Sequence, residues 1–99
     1  MVTKIIWTKA ADKKFDATTT YLQDNGSLQA AQNFAKTVYE KIDLIVKHPT
    51  LGRKLADSKS MRVLNFGKYY QLYYRIEGKS LYISNFFNTR QDPKKRPFK

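Results

Sequence analysis

"MRVLNFGKYYQLYYRIEGKSLYISNFF", residues 61–87, decides the fold. Read with a period of two, it is three strands: "MRVLNF" (61–66), "YYQLYYRI" (69–76) and "SLYISNFF" (80–87). Gly67-Lys68 and Glu77-Gly78 separate them as tight hairpin turns. In the middle strand Tyr70, Leu72, Tyr74 and Ile76 share one face, and Tyr69, Gln71, Tyr73 and Arg75 share the other. One parity must face whatever covers the sheet, which places Tyr70 and Tyr74 in the core. Tyr69 and Tyr73 are then the rings on the second face.

Upstream of this stretch the period changes to that of a helix. Ala31, Phe34, Ala35, Val38, Ile42 and Ile45 form one apolar stripe through "SLQAAQNFAKTVYEKIDLIVKH" (27–48), with Ser27 as the cap and Pro49 as the stop. Ala11, Phe15, Thr18 and Leu22 mark an earlier helix that Thr8 caps. Asn25-Gly26 ends it, since both residues tolerate the left-handed conformation common at helix ends. "KIIW" (4–7) reads as a short buried strand, and "PTLGRKLADSKS" (49–60) as a loop. The expected fold is α+β, in the order β-α-α-β-β-β. The helical hairpin packs on one face of a small antiparallel sheet and leaves the other face wholly or partly open.

Ninety-nine residues suit a single domain, 1–99, in which 90–99 form a basic tail. No apolar run approaches a membrane span and the N-terminus carries no signal-peptide pattern, so a cytoplasmic location without membrane contact is expected. The absence of cysteine removes disulfides, thiol nucleophiles and cysteine-ligated zinc, and one histidine, His48, cannot build a metal site alone. No cofactor is expected.

The net charge of +11 is uneven. Residues 53–99 hold twelve Lys or Arg against three acids, and all five arginines lie there. That balance points to a polyanionic partner, either nucleic acid or an acidic protein, with solubility as the plainer reading. Arginine binds phosphate or carboxylate with two parallel hydrogen bonds, whereas lysine acts as a point charge.

The segments "IIWTKAADKKF", "AAQNFAKTVYEKIDLIVKHPTLGRKL", "MRVLNFGKYYQLYYRI" and "FFNTRQDPKK" run in order along nearly the whole chain. Together they resemble the RelE/ParE superfamily of bacterial toxins, also described as plasmid stabilisation proteins. The resemblance implies the same β-α-α-β-β-β fold and a growth-inhibiting toxin of a type II toxin–antitoxin module, silenced by a cognate antitoxin protein. Its target is either DNA gyrase, as for ParE-like members, or mRNA on the ribosome, cut by RelE-like members. A third reading is a basic nucleic-acid-binding module without toxicity.

Cleavage of RNA without metal needs a base for the 2′-hydroxyl proton, an acid for the leaving oxygen and positive charge for the transition state. By resemblance, Arg62 and Arg90 are the strand arginines of the nuclease pattern, with Arg53 and Lys54 in the loop that approaches RNA. Lys54, Arg62 and Arg90 are the catalytic candidates of that reading. Arg53, Lys54, Arg62, Arg75, Arg90, Lys94 and Lys95 are the candidates for binding the target or its phosphates, and Tyr69 and Tyr73 for stacking on bases. The plainer alternative for Arg62 and Arg75 is a solvated sheet face, and for the tyrosines it is packing. No Tyr or His follows Arg90, and Phe98 cannot transfer a proton. That gap tilts the expectation towards a gyrase-directed toxin that does not cut RNA.

Overall fold

The computed structural model describes residues 2–55, 60–67 and 69–88. Strand β1 (Lys4–Trp7) leads into helices α1 (Lys9–Asn25) and α2 (Leu28–Lys47). Four strands follow: β2 (Arg53–Lys54), β3 (Met61–Phe66), β4 (Tyr70–Glu77) and β5 (Ser80–Asn88). The sheet order is β1-β5-β4-β3-β2. The three-strand meander is antiparallel, as read from its period. However, β1 joins β5 in parallel, so the five-stranded sheet is mixed.

Both helices start where a side-chain oxygen can take an orphan amide. Thr8 Oγ1 accepts from the Ala11 N–H at 3.1 Å, and Ser27 Oγ from the Ala30 N–H at 3.0 Å. Thr8 also donates to the Ser84 carbonyl at 2.9 Å, which fastens α1 to β5. Here β5 bulges: Tyr73 opposes Asn85 while Tyr74 opposes Ile83, which leaves Ser84 as the extra residue. The end of α1 differs from expectation. Gly26 has φ −131°, outside the left-handed region, and its N–H bonds the Leu22 carbonyl at 2.9 Å. A Cβ there would stand 2.9 Å from the same carbonyl, so glycine serves close approach rather than handedness. The second hairpin turn is Gly78-Lys79, one residue later than read, with Gly78 at φ +60°.

The core lies between the helices and one face of the sheet. Val38, Ile45, Leu72, Tyr74, Leu81 and Ile83 are fully buried there, each aliphatic side chain contributing about 1.5–3 kcal/mol. Trp7, Phe15, Phe34, Phe66, Tyr70 and Phe86 extend it as a chain of ring contacts with centroids 4.9–6.0 Å apart. The other face is not open at its centre. Met61, Val63, Tyr73 and Phe87 form a second buried cluster with Leu55 packed against it. Its residues come from three strands, and Tyr73 closes it with a hydroxyl bonded to Gln71 Oε1 at 3.1 Å.

The segment after α2 is not a plain loop. Tyr74 Oη, within the main core, donates to the Pro49 carbonyl and accepts from the Gly52 N–H, both at 2.8 Å. Arg62 Nη1 donates to the Gly52 carbonyl at 2.8 Å. Held at these points, the chain extends and Arg53–Lys54 pairs with Val63 and Arg62 as an edge strand. Two residues carry no readable period, which is why the strand was hidden in the sequence.

A Cβ on Gly52 would lie 2.7 Å from the Tyr74 ring, 2.8 Å from its hydroxyl and 3.0 Å from the Val63 carbonyl. Gly→Ala often stabilises by restricting the unfolded chain, but here overpacking reverses the sign. Gly52→Ala is expected to lose about 1–3 kcal/mol, measured by denaturant unfolding. Burial also raises the ionisation of Tyr74 above the ordinary 10.0, against smaller opposing effects of the Gly52 N–H and the Arg62 charge. Burial raises Tyr70 too, with a smaller contribution from Tyr21. Native protein therefore binds these protons more tightly than the unfolded chain. The resulting stability is complete below pH 10.0 and is lost as pH rises through the higher native values. Alkaline titration should show Tyr74→Phe and Tyr70→Phe each lacking the most alkaline part of the tyrosinate absorbance change.

Candidate functional site

The strand register decides which basic residues meet. Lys54 lies directly across from Arg62, and Arg62 directly across from Tyr74, so all three belong to the helix-side face of the sheet. Strand alternation sends Arg53, opposite Val63, to the second face. Arg75, opposite Met61 and Tyr82, is also on that face. The candidates therefore divide: Lys54 and Arg62 come together, while Arg53 and Arg75 stand on the opposite side. Arg90, Lys94 and Lys95 lie outside the described residues.

Lys54 and Arg62 line a cleft of about 380 Å³ with Pro49, Thr50, Ser60 and Ile76. It opens beyond the C-terminal end of α2, where His48 caps the helix through its N–H to the Leu44 carbonyl at 2.8 Å. Like charges directly opposed across two strands destabilise the pairing. Among the described residues no carboxylate lies within ion-pairing distance of either one. An anion seated in the cleft would relieve that repulsion. Hydroxyls at Thr50 and Ser60 add polar partners, and Ile76 and Pro49 supply apolar wall. Arg62 cannot act as a free fork, since one guanidinium nitrogen already serves the Gly52 carbonyl.

The cleft has charge, and the Tyr74 phenol, bonded to the same Gly52 as Arg62, keeps its proton engaged. Tyr74 feels the Arg62 charge, yet its oxygen donates to Pro49 and accepts from Gly52, and burial keeps it protonated. It is a structural hydroxyl.

Arg75 is engaged elsewhere. It pairs with Glu77 at 2.7 Å and lies over the Tyr82 ring, 4.3 Å from its centroid. Of the two stacking candidates, Tyr73 is only 2% exposed and closes the second cluster, whereas Tyr69 is 38% exposed beside the β3–β4 turn. Burial of Tyr73 therefore removes it from contact with a base. Thr50 and Ser60 were not singled out in the sequence; only the pairing of β2 with β3 brings them beside the two cations. Among the described residues no helix is long and apolar enough to cross a membrane.

Among curated proteins none matches the chain. Solved structures that share its fold include two at 18% identity. One is from the chromosomal ParDE toxin–antitoxin system of P. aeruginosa, with a TM-score of 0.73 and 18% identity over 88% of this chain and 96% of that one. The other is a conserved hypothetical protein of Helicobacter pylori, with a TM-score of 0.52 and 18% identity over 91% of this chain and 97% of that one. At these identities the likeness concerns the fold. A family model described as the ParE toxin of the type II toxin-antitoxin system, parDE, matches residues 5–93, and on that match the chain belongs to the ParE toxin family.

Proposed function

We propose that the chain arrests bacterial growth by binding DNA gyrase without cutting nucleic acid, and that an acidic antitoxin stores it in a silent form in the cytoplasm. The observation that carries the non-nucleolytic part is the Tyr74 hydroxyl. It is the ionisable hydroxyl that feels the Arg62 charge, and both of its hydrogen bonds are occupied by backbone groups. With that phenol engaged, the cleft's two cations suit binding of a phosphate or a carboxylate, and among the described residues Lys54 is the one lining side chain left that could exchange a proton in catalysis. Membership of the ParE family supports the same reading.

Lys54 and Arg62 in the cleft, with Arg53 on the second face, are the proposed target contacts; Arg90, Lys94 and Lys95 extend the proposal to the tail. Tyr69 is the proposed stacking ring. The alternative, ribosome-dependent mRNA cleavage, draws on the Lys54–Arg62 pair, whose opposed charges suit a phosphate. In that reading the ribosome supplies the missing proton-transfer group.

Two assays with purified protein separate these targets. Gyrase supercoiling should be inhibited, and translating ribosomes should leave mRNA intact. Lys54→Ala should weaken inhibition by about 1 kcal/mol, since it removes one partly solvated charge. Translation-dependent cleavage with normal supercoiling would replace the proposal by the alternative. Association with the antitoxin should slow markedly with added salt, because the Debye length is only about 8–10 Å at physiological ionic strength. A rate independent of salt would remove the electrostatic account of storage.

A further inference from the structure

The basic strand β2 has little to hold it. It comprises two residues at the sheet edge, pairs only with β3, and both side chains are exposed. An edge pair of that length, with Lys54 facing Arg62, gains little from the sheet itself. Yet its entry point is among the most constrained places in the molecule. Gly52 is buried, its N–H bonds Tyr74, its carbonyl bonds Arg62, and no space exists for a side chain.

We infer that Tyr74 is the positioning residue of this toxin: its buried hydroxyl, gripping Pro49 and Gly52, sets where β2 enters the sheet and thereby holds Lys54 opposite Arg62. The inference rests on the reading above that the Lys54–Arg62 cleft meets the target. Tyr74 touches no ligand itself; it lies in the core, 0% exposed. Its ring would stay packed among core residues if the hydroxyl were removed, because Leu72, Ile83 and the helices surround that face of β4. What the hydroxyl alone supplies is the connection between that core and the chain after α2. Its two bonds reach back 22 and 25 positions, across the end of the longer helix. Because the phenol stays protonated when buried, the donation to the Pro49 carbonyl is permanent at neutral pH.

Without the hydroxyl, the Gly52 N–H and Pro49 carbonyl lose their partner, and the adjacent chain can satisfy them by moving into water. That movement releases Arg53 and Lys54 and frees Arg62 from the Gly52 carbonyl. Tyr74→Phe is the direct test, with three readouts on the full chain. Amide hydrogen exchange at Gly52 should accelerate by on the order of ten- to a hundredfold, the factor expected for one lost buried hydrogen bond, while Val38 and Ile45 in α2 change far less. Gyrase inhibition should fall at least as far as in Lys54→Ala. The double variant Tyr74→Phe/Lys54→Ala should lose clearly less inhibition than the sum of the two single losses, because the Lys54 contact can be lost only once.

Full additivity of the two substitutions, or unchanged exchange at Gly52, overturns the inference. Should Lys54→Ala inhibit as well as the unaltered protein, the reading of the cleft as target contact fails instead, and the exchange data still decide whether Tyr74 holds β2. If Tyr74→Phe does not fold, exchange in the unaltered protein decides. A Gly52 amide exchanging as fast as an exposed loop amide would show that the hydroxyl grips nothing.

Discussion

A phenol hydroxyl sealed inside an apolar core has to find partners, and most of this molecule's second half is arranged around where Tyr74 finds them. Both partners are backbone groups of the segment that follows α2. Leaving such groups unpaired costs about 1–3 kcal/mol each, a large fraction of the stability of a small domain. The helix must therefore stop at Pro49, the chain must pass under the ring at Gly52, and position 52 must lack a side chain. Arg62 completes the arrangement from the next strand by taking the Gly52 carbonyl. The basic cleft lies at the outlet of this junction, so its geometry derives from core packing and not from the charges that line it.

The elements with a strong period were legible in the sequence. The stripe of α2, the caps at Thr8 and Ser27, and the three strands of 61–87 follow local rules, and each appears where the pattern put it to within one residue. Tyr70 and Tyr74 fall on the core side by the same alternation. What was hidden depends on distant partners. A two-residue strand has no period, and its pairing exists only because Tyr74 and Arg62 hold the chain in place. The second face was read as open or partly open because tyrosines occur on wet and buried surfaces alike; only the register, which sets Val63 beside Tyr73 and brings Phe87 and Met61 to the same cluster, closes its centre. The candidate site was legible as a set of residue types but not as a grouping, since Lys54 and Arg53 differ by one residue and therefore by a whole face of the sheet.

The charge count also changes meaning once the contacts are known. Five arginines in one half of the chain read as a surface prepared for a polyanion. Two of the three that can be described, Arg62 and Arg75, are partly engaged by their own protein: one on a backbone carbonyl, the other on Glu77 and the Tyr82 ring. Arginine suits both tasks because its fork can bond a carbonyl along one edge and still present charge along another. Lysines at the surface keep their charge free at the expense of direction. The positive field thus combines a few oriented cations with many loosely placed ones, and only the oriented ones can distinguish one anionic partner from another.

The parallel pairing of β1 with β5 has a consequence for the life of the chain during synthesis. Strand β1 finds its partner only after both helices and three further strands have been made, and the Thr8 hydroxyl meets its acceptors 75 and 76 positions downstream. Contacts of such separation form late, since the closure entropy of the intervening chain comes before their reward. Translation proceeds from the N-terminus, so a nascent chain carries two amphipathic helices with no sheet to cover them until the strands after them have emerged. A message cut short before Ser80 gives a product with β1 unpaired and α1 unfastened. The protein can reach its working shape only once β5 has been made, a delay in time that the topology imposes.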